Sequence, residues 1–138
     1  MADNIDELRA KEENEPIAKF LKTRLVELSP GYARVSMKIS PEYLNFNGLI
    51  FGGIIMAVAD EAFAYATNSL IQPSYASQIN IHFVDGPAVN DELIAECRVL
   101  KSGRRVGISE MLVTNQDGKL IAKATGTTIP VVRESGQK

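Results

Sequence analysis

The sequence predicts an α+β protein in which a curved antiparallel sheet wraps one long central helix, with a short helical appendage at the N-terminus. Three observations predict this. Residues 51–70, FGGIIMAVADEAFAYATNSL, form a long, almost wholly apolar run opened by a glycine pair and charged only at Asp60 and Glu61. Two runs before it and four after it alternate apolar and polar residues with the period of half-buried strands. Short turns join the last four runs, which implies antiparallel neighbours. One sheet over one helix accommodates this order economically.

The elements follow in order. Residues 1–22 are polar and charged, with Asn4 a cap for a helix over IDELRAKEE and Pro16 opening a second short helix, PIAKFL. Both are weakly apolar and read as a surface appendage. Strands are expected at 24–28 and 32–39, joined by Ser29, Pro30 and Gly31. In the second, Ala33, Val35, Met37 and Ile39 share one face. The segment PEYLNFNGLI is a loop into the helix, and Gln72-Pro73 breaks the chain after it. Strands at 77–84, 92–100, 104–114 and 119–129 complete a domain spanning 23–132, and 133–138 is a loose tail.

At 138 residues the chain has the size of one domain with its own core. Its net charge of −2 gives no basic footprint for nucleic acid. The single cysteine, Cys97, excludes an internal disulfide and the common zinc patterns; it reads as a small buried strand residue. The first residues lack the basic-then-apolar pattern of a secretory signal. No apolar run reaches the roughly 18 residues that span a bilayer. A cytoplasmic protein without membrane or nucleic-acid partners is expected.

The helix carries the candidate chemistry. At about 100° per residue, Asp60 shares a face with Gly53, Met56, Ala57, Phe63, Ala64 and Thr67, while Ile55, Val58, Ala62, Tyr65, Ala66 and Ser69 lie opposite. A helix apolar all round is buried all round, yet one sheet covers one side. The Asp60 face is therefore expected to meet another subunit, in a dimer or a dimer of dimers. Glu61 shares its edge with Asn68 and reads as solvated. Asp60 in an apolar wall has its pKa raised by desolvation, which suits a base or nucleophile, although a satisfied structural carboxylate has the same sequence pattern. Gly52 and Gly53 leave the first N–H groups of the helix open to a ligand, where they can hold developing negative charge. Gly53 and Asp60 lie about 10 Å apart along one axis. Two antiparallel helices from two subunits would bring them together.

The pattern Asn45, five residues, Phe51-Gly52-Gly53, then Ala59-Asp60 and AFAYATNS resembles the hotdog-fold acyl-CoA thioesterases, in their phenylacetate-degradation (PaaI-type) branch. The similarity runs from about residue 17 to 129 and includes QINIHF, NDELIAECRVLKSGRR and DGKLIAKATGT. It implies a hotdog fold and hydrolysis of acyl-CoA, a substrate, with no cofactor or metal. It further implies an oxyanion contact from Gly52 and Gly53, Asp60 as base or nucleophile, Asn45 positioning the thioester or water, and Ser77 as an auxiliary hydroxyl. The family's histidine before Gly-Gly is Phe51 here, which bears on rate and substrate choice. Lys101, Arg104 and Arg105 cluster at one turn as candidates for the CoA phosphates, although such a turn is also a common solvated feature. His82, the one histidine, reads as structural or surface. The alternatives are a non-catalytic acyl-CoA binder or sensor on the same fold, and a hydratase.

Overall fold

The computed structural model describes residues 2–131. Two helices come first, α1 (Ala2–Glu12) and α2 (Pro16–Leu21), then strands β1 (Thr23–Ser29) and β2 (Tyr32–Lys38). A 3-10 turn at Pro41–Tyr43 leads to the long helix α3 (Gly52–Asn68). Strands β3 (Ser74–Phe83), β4 (Glu92–Ser102), β5 (Gly107–Thr114) and β6 (Leu120–Pro130) follow. The six strands make one antiparallel sheet in the order β1-β2-β4-β5-β6-β3, curved around α3. The expected tail at 133–138 lies outside the described residues.

The core forms where the alternating strands meet the helix. Ala33, Val35 and Met37 of β2 pair with Cys97, Ala95 and Leu93 of β4. All six are at most 1% exposed. Against them α3 lays Ile55, Val58, Ala62 and Ala66, the face expected to be buried. Phe63 reaches β6, where a Cβ on Gly126 would sit 2.5 Å from its ring. That glycine makes room for the aromatic side chain.

Two expectations need correction. The run of short turns implied that β3 lies beside β4, but β3 pairs with β6 and leaves its other edge free. The connection over 84–91 contains Pro87 and is too long for a tight hairpin, so it carries the chain across to β2. The N-terminal appendage is present and packs onto the domain, but the expected role of Asn4 differs. Leu8, Ala18 and Leu21 are buried. Asn4 caps the end of α3 instead of the start of α1: its Nδ2 donates to the carbonyls of Asn68 and Ser69, 2.7 Å each. The orphan carbonyls of a long helix are thus satisfied by a side chain from far away in sequence. Among the described residues no helix is long and apolar enough to cross a membrane.

Candidate active site

The start of α3 is fixed by backbone bonds on both sides of Phe51. Its N–H donates to the Tyr43 carbonyl, and its own carbonyl accepts from the Ile54 N–H, both at 2.9 Å. Phe51 is extended, with ψ 126°, and the helix begins at Gly52. Among the described residues the N–H groups of Gly52 and Gly53 have no acceptor. They are first-turn donors at the positive end of the dipole. Each glycine also lies under an aromatic ring. A Cβ on Gly52 would meet the Phe83 ring at 3.3 Å, and one on Gly53 would meet the Phe51 ring at 2.5 Å. A cavity of about 450 Å³ opens beside Gly52, walled by Leu49, Ile55, Phe83, Val84 and Pro87.

Asp60 lies two turns on. The sheet covers the opposite face of α3, so Asp60 is exposed together with Met56 and Ala64, whereas Phe63 and Thr67 of the expected stripe turn into the core. Among the described residues Asp60 is thus the one carboxylate in an apolar strip that no other element covers. Neighbouring apolar atoms desolvate its carboxyl and raise its pKa above the usual carboxylate value.

Glu61 is not the solvated edge its pattern implied. It is 8% exposed, and the Thr23 hydroxyl lies 3.5 Å from its Oε2. Burial first, then the neighbouring Glu15 and Asp60 carboxylates, push its pKa up to about 8. Folding back of the N-terminal segment is the cause: Glu15 sits over this edge and accepts a 2.6 Å bond from the Tyr65 hydroxyl. Periodicity along one helix cannot see a residue delivered from another element. The Glu15, Glu61, Tyr65 and Thr23 cluster, and Phe83 against Gly52, were not legible in the sequence. The unbroken apolar character of the rest of α3 was the available signal that Glu61 had a hidden partner.

The remaining candidates are dispersed. Asn45 organises its own loop: its Oδ1 accepts from the N–H groups of Asn47 and Leu49, at 2.9 and 3.1 Å. A bridge between Leu44 and Ile50 closes that loop. Asn45 therefore stands one short loop before Phe51. Ser77 occupies a bulge of the edge strand β3, exposed, with its hydroxyl 3.2 Å from the Thr127 carbonyl. Lys101, Arg104 and Arg105 are exposed at the β4–β5 turn. Lys101 lines a small recess with Thr67 and Ile71, at the C-terminal end of α3. That places the turn about 10 Å beyond Asp60 along the axis. His82 is exposed on β3. Cys97 is buried, which pushes its thiol pKa up to about 12. Among the described residues no three His, Cys, Asp or Glu side chains gather as metal ligands do.

Within one chain, then, the structure groups Asn45, Phe51, Gly52 and Gly53 at one end of α3 and sets Asp60 apart on its uncovered side. Residues 47–122 match the family model described as the thioesterase superfamily. The chain is 35% identical over 118 residues to a putative esterase of Archaeoglobus fulgidus, covering 86% of this chain and 77% of that one. It is 32% identical over 114 residues to the acyl-coenzyme A thioesterase PaaI of Escherichia coli, covering 83% and 81%. The solved structure of the Escherichia coli PaaI protein superposes with a TM-score of 0.87 at 30% identity, covering 91% of each chain.

Proposed function

This chain belongs to the thioesterase superfamily, a family of thioester hydrolases, and from that premise we propose that it hydrolyses a small or medium acyl- or aryl-acyl-CoA in sites shared between two subunits. The observation that carries the reading is the placement on α3: free glycine N–H groups at its start, and one desolvated carboxylate on the strip that the described residues leave uncovered.

In this reading the thioester carbonyl oxygen accepts from the Gly52 and Gly53 amides. These donors strengthen as the carbonyl becomes an oxyanion, which lowers the barrier. Asp60 of the facing subunit takes a proton from water as the water oxygen bonds to the acyl carbon. The tetrahedral oxyanion then collapses, the C–S bond breaks, and the CoA thiolate leaves and takes up the proton. Direct attack by Asp60 would instead give an anhydride that water opens to the same products. Asn45 holds the loop that sets the glycine amides. Lys101, Arg104 and Arg105 offer cations to the CoA phosphates, Ser77 offers a hydroxyl at the free edge of β3, and no cofactor takes part.

The shared site supplies what one chain lacks. Gly53 and Asp60 of one helix stand about 10 Å apart, too far for one carbonyl. An antiparallel pair of α3 helices would close that gap while covering Met56. The chain is expected to act in the cytoplasm as a homodimer or dimer of dimers.

Phe51 favours one second reading, a non-catalytic acyl-CoA binder, because an apolar ring replaces the histidine of the resembling enzymes. Thiol release from acetyl-, octanoyl- and phenylacetyl-CoA separates the two. Turnover in the wild type with loss of at least a hundredfold in Asp60→Asn supports hydrolysis. Tight binding with no release from any of them supports the binder. Unchanged release in Asp60→Asn removes Asp60 from the mechanism.

A further inference from the structure

The N-terminal helices enclose a groove that the catalytic reading does not use. It lies between α1, the start of α2 and the second half of α3, with a volume of about 350 Å³. That is the size of a small ligand pocket. Leu8, Pro16, Ala64 and the Tyr65 ring give it apolar walls. Ala64 is one turn beyond Asp60 on the same exposed strip, about 6 Å along the axis.

Of the polar side chains lining this groove, Tyr65, Glu15, Asn68 and Lys11 are engaged within the chain, and Asn14 has no side-chain hydrogen bond among the described residues. The Tyr65 hydroxyl donates to Glu15 at 2.6 Å. The Asn68 amide donates to the Ala64 carbonyl at 2.8 Å and to the Ser74 carbonyl at 3.2 Å. The Lys11 ammonium lies 3.4 Å from the Gln72 side-chain oxygen. A ligand here is therefore offered apolar surface and few open hydrogen-bonding groups. Lys11 and Glu15 both line the groove, so it carries no net charge to draw in a phosphate or carboxylate. An apolar tail fits, and its reactive end would emerge beside Asp60.

We propose that this groove is the acyl subsite, in which the N-terminal helices and Ala64 receive the hydrocarbon part of the substrate and set its preferred length. The inference rests on the thioesterase reading and deepens it. An acyl carbon held at Asp60 sends its chain one turn along α3 into the groove, and the Tyr65–Glu15 bond closes one side of it.

The test is the chain-length profile of CoA release from acetyl- to dodecanoyl-CoA. In the wild type, kcat/KM should climb roughly fourfold per methylene, about 0.8 kcal/mol each, until the groove is full. Ala64→Leu fills the groove from α3 and Asn14→Trp from the opposite wall. Each should lower the octanoyl-to-acetyl ratio of kcat/KM at least tenfold, mainly through KM, with unchanged sedimentation. A variant that slows both substrates equally, or leaves the ratio unaltered, overturns the subsite while the thioesterase reading stands. Absence of release from every substrate by the wild type overturns both.

Discussion

The Phe51 ring lies on the face of Gly53, so close that a Cβ at that position would come within 2.5 Å of its Cε2 atom. The glycine is therefore required twice, once for an open N–H and once for the ring. Gly53→Val should push the ring aside and crowd the amide. Loss of at least a hundredfold in kcat/KM is expected, with a smaller effect on Tm because the position is in the half-buried first turn, outside the core.

Phe51→His should be far milder. The backbone at this residue is held by the Tyr43 carbonyl and the Ile54 N–H, whatever the side chain. The glycine amides keep their direction, so kcat/KM should change by less than about tenfold, consistent with a helix start fixed by backbone bonds. A loss as deep as that of Gly53→Val in the same release assay would show that the side chain, not the backbone, sets the site.

Asn45 acts through its acceptor oxygen, which takes two N–H groups of its own loop. Asn45→Ala should cost about 0.5–1.5 kcal/mol, since water can take over these exposed donors, and should lower activity by loosening the approach to Gly52. Asn45→Asp keeps an acceptor oxygen for both N–H groups and should retain most of the stability. Thermal unfolding of the two variants beside the wild type measures the difference.

Glu61 makes stability depend on pH. Its pKa is raised from 4.5 to about 8 in the folded chain, by burial first and by Glu15 and Asp60 next. Between those values the folded state holds a proton that the unfolded chain has released. Stability therefore falls as pH rises through this window and levels off above it. Glu61→Gln, which stays neutral, should remove the decline. Tm measured from pH 4.5 to 9 reads it directly.

Gly126 faces the buried Phe63 ring, with no room for a methyl group. Gly126→Ala should destabilise by about 1–3 kcal/mol through overpacking. Urea denaturation gives the value.

Much of the fold was legible because its elements are strongly periodic. The inward set of β2 and β4 and the buried face of α3 follow from spacing alone. What spacing could not convey was long-range delivery. The partners of Glu61 come from the α1–α2 connection (Glu15) and the start of β1 (Thr23), and Asn4 caps a helix end more than sixty positions away. The neighbour of β3 depended on where the 84–91 connection leads, which hydrophobic alternation does not encode. In the candidate site, the glycine pair and Asp60 stood out by composition. Phe83 against Gly52 did not, because it joins a helix start to the far end of an edge strand.

The central claim is that Gly53 of one subunit works with Asp60 of another. Mixing Asp60→Asn with Gly53→Val after unfolding and refolding them together tests it most directly. Each variant alone should be inactive. In a shared-site dimer, half of the randomly formed pairs carry one intact site of two, so about a quarter of wild-type CoA release should return. If both halves of the site belonged to one chain, no intact site would form, and release from the mixture would stay at the level of the separate variants.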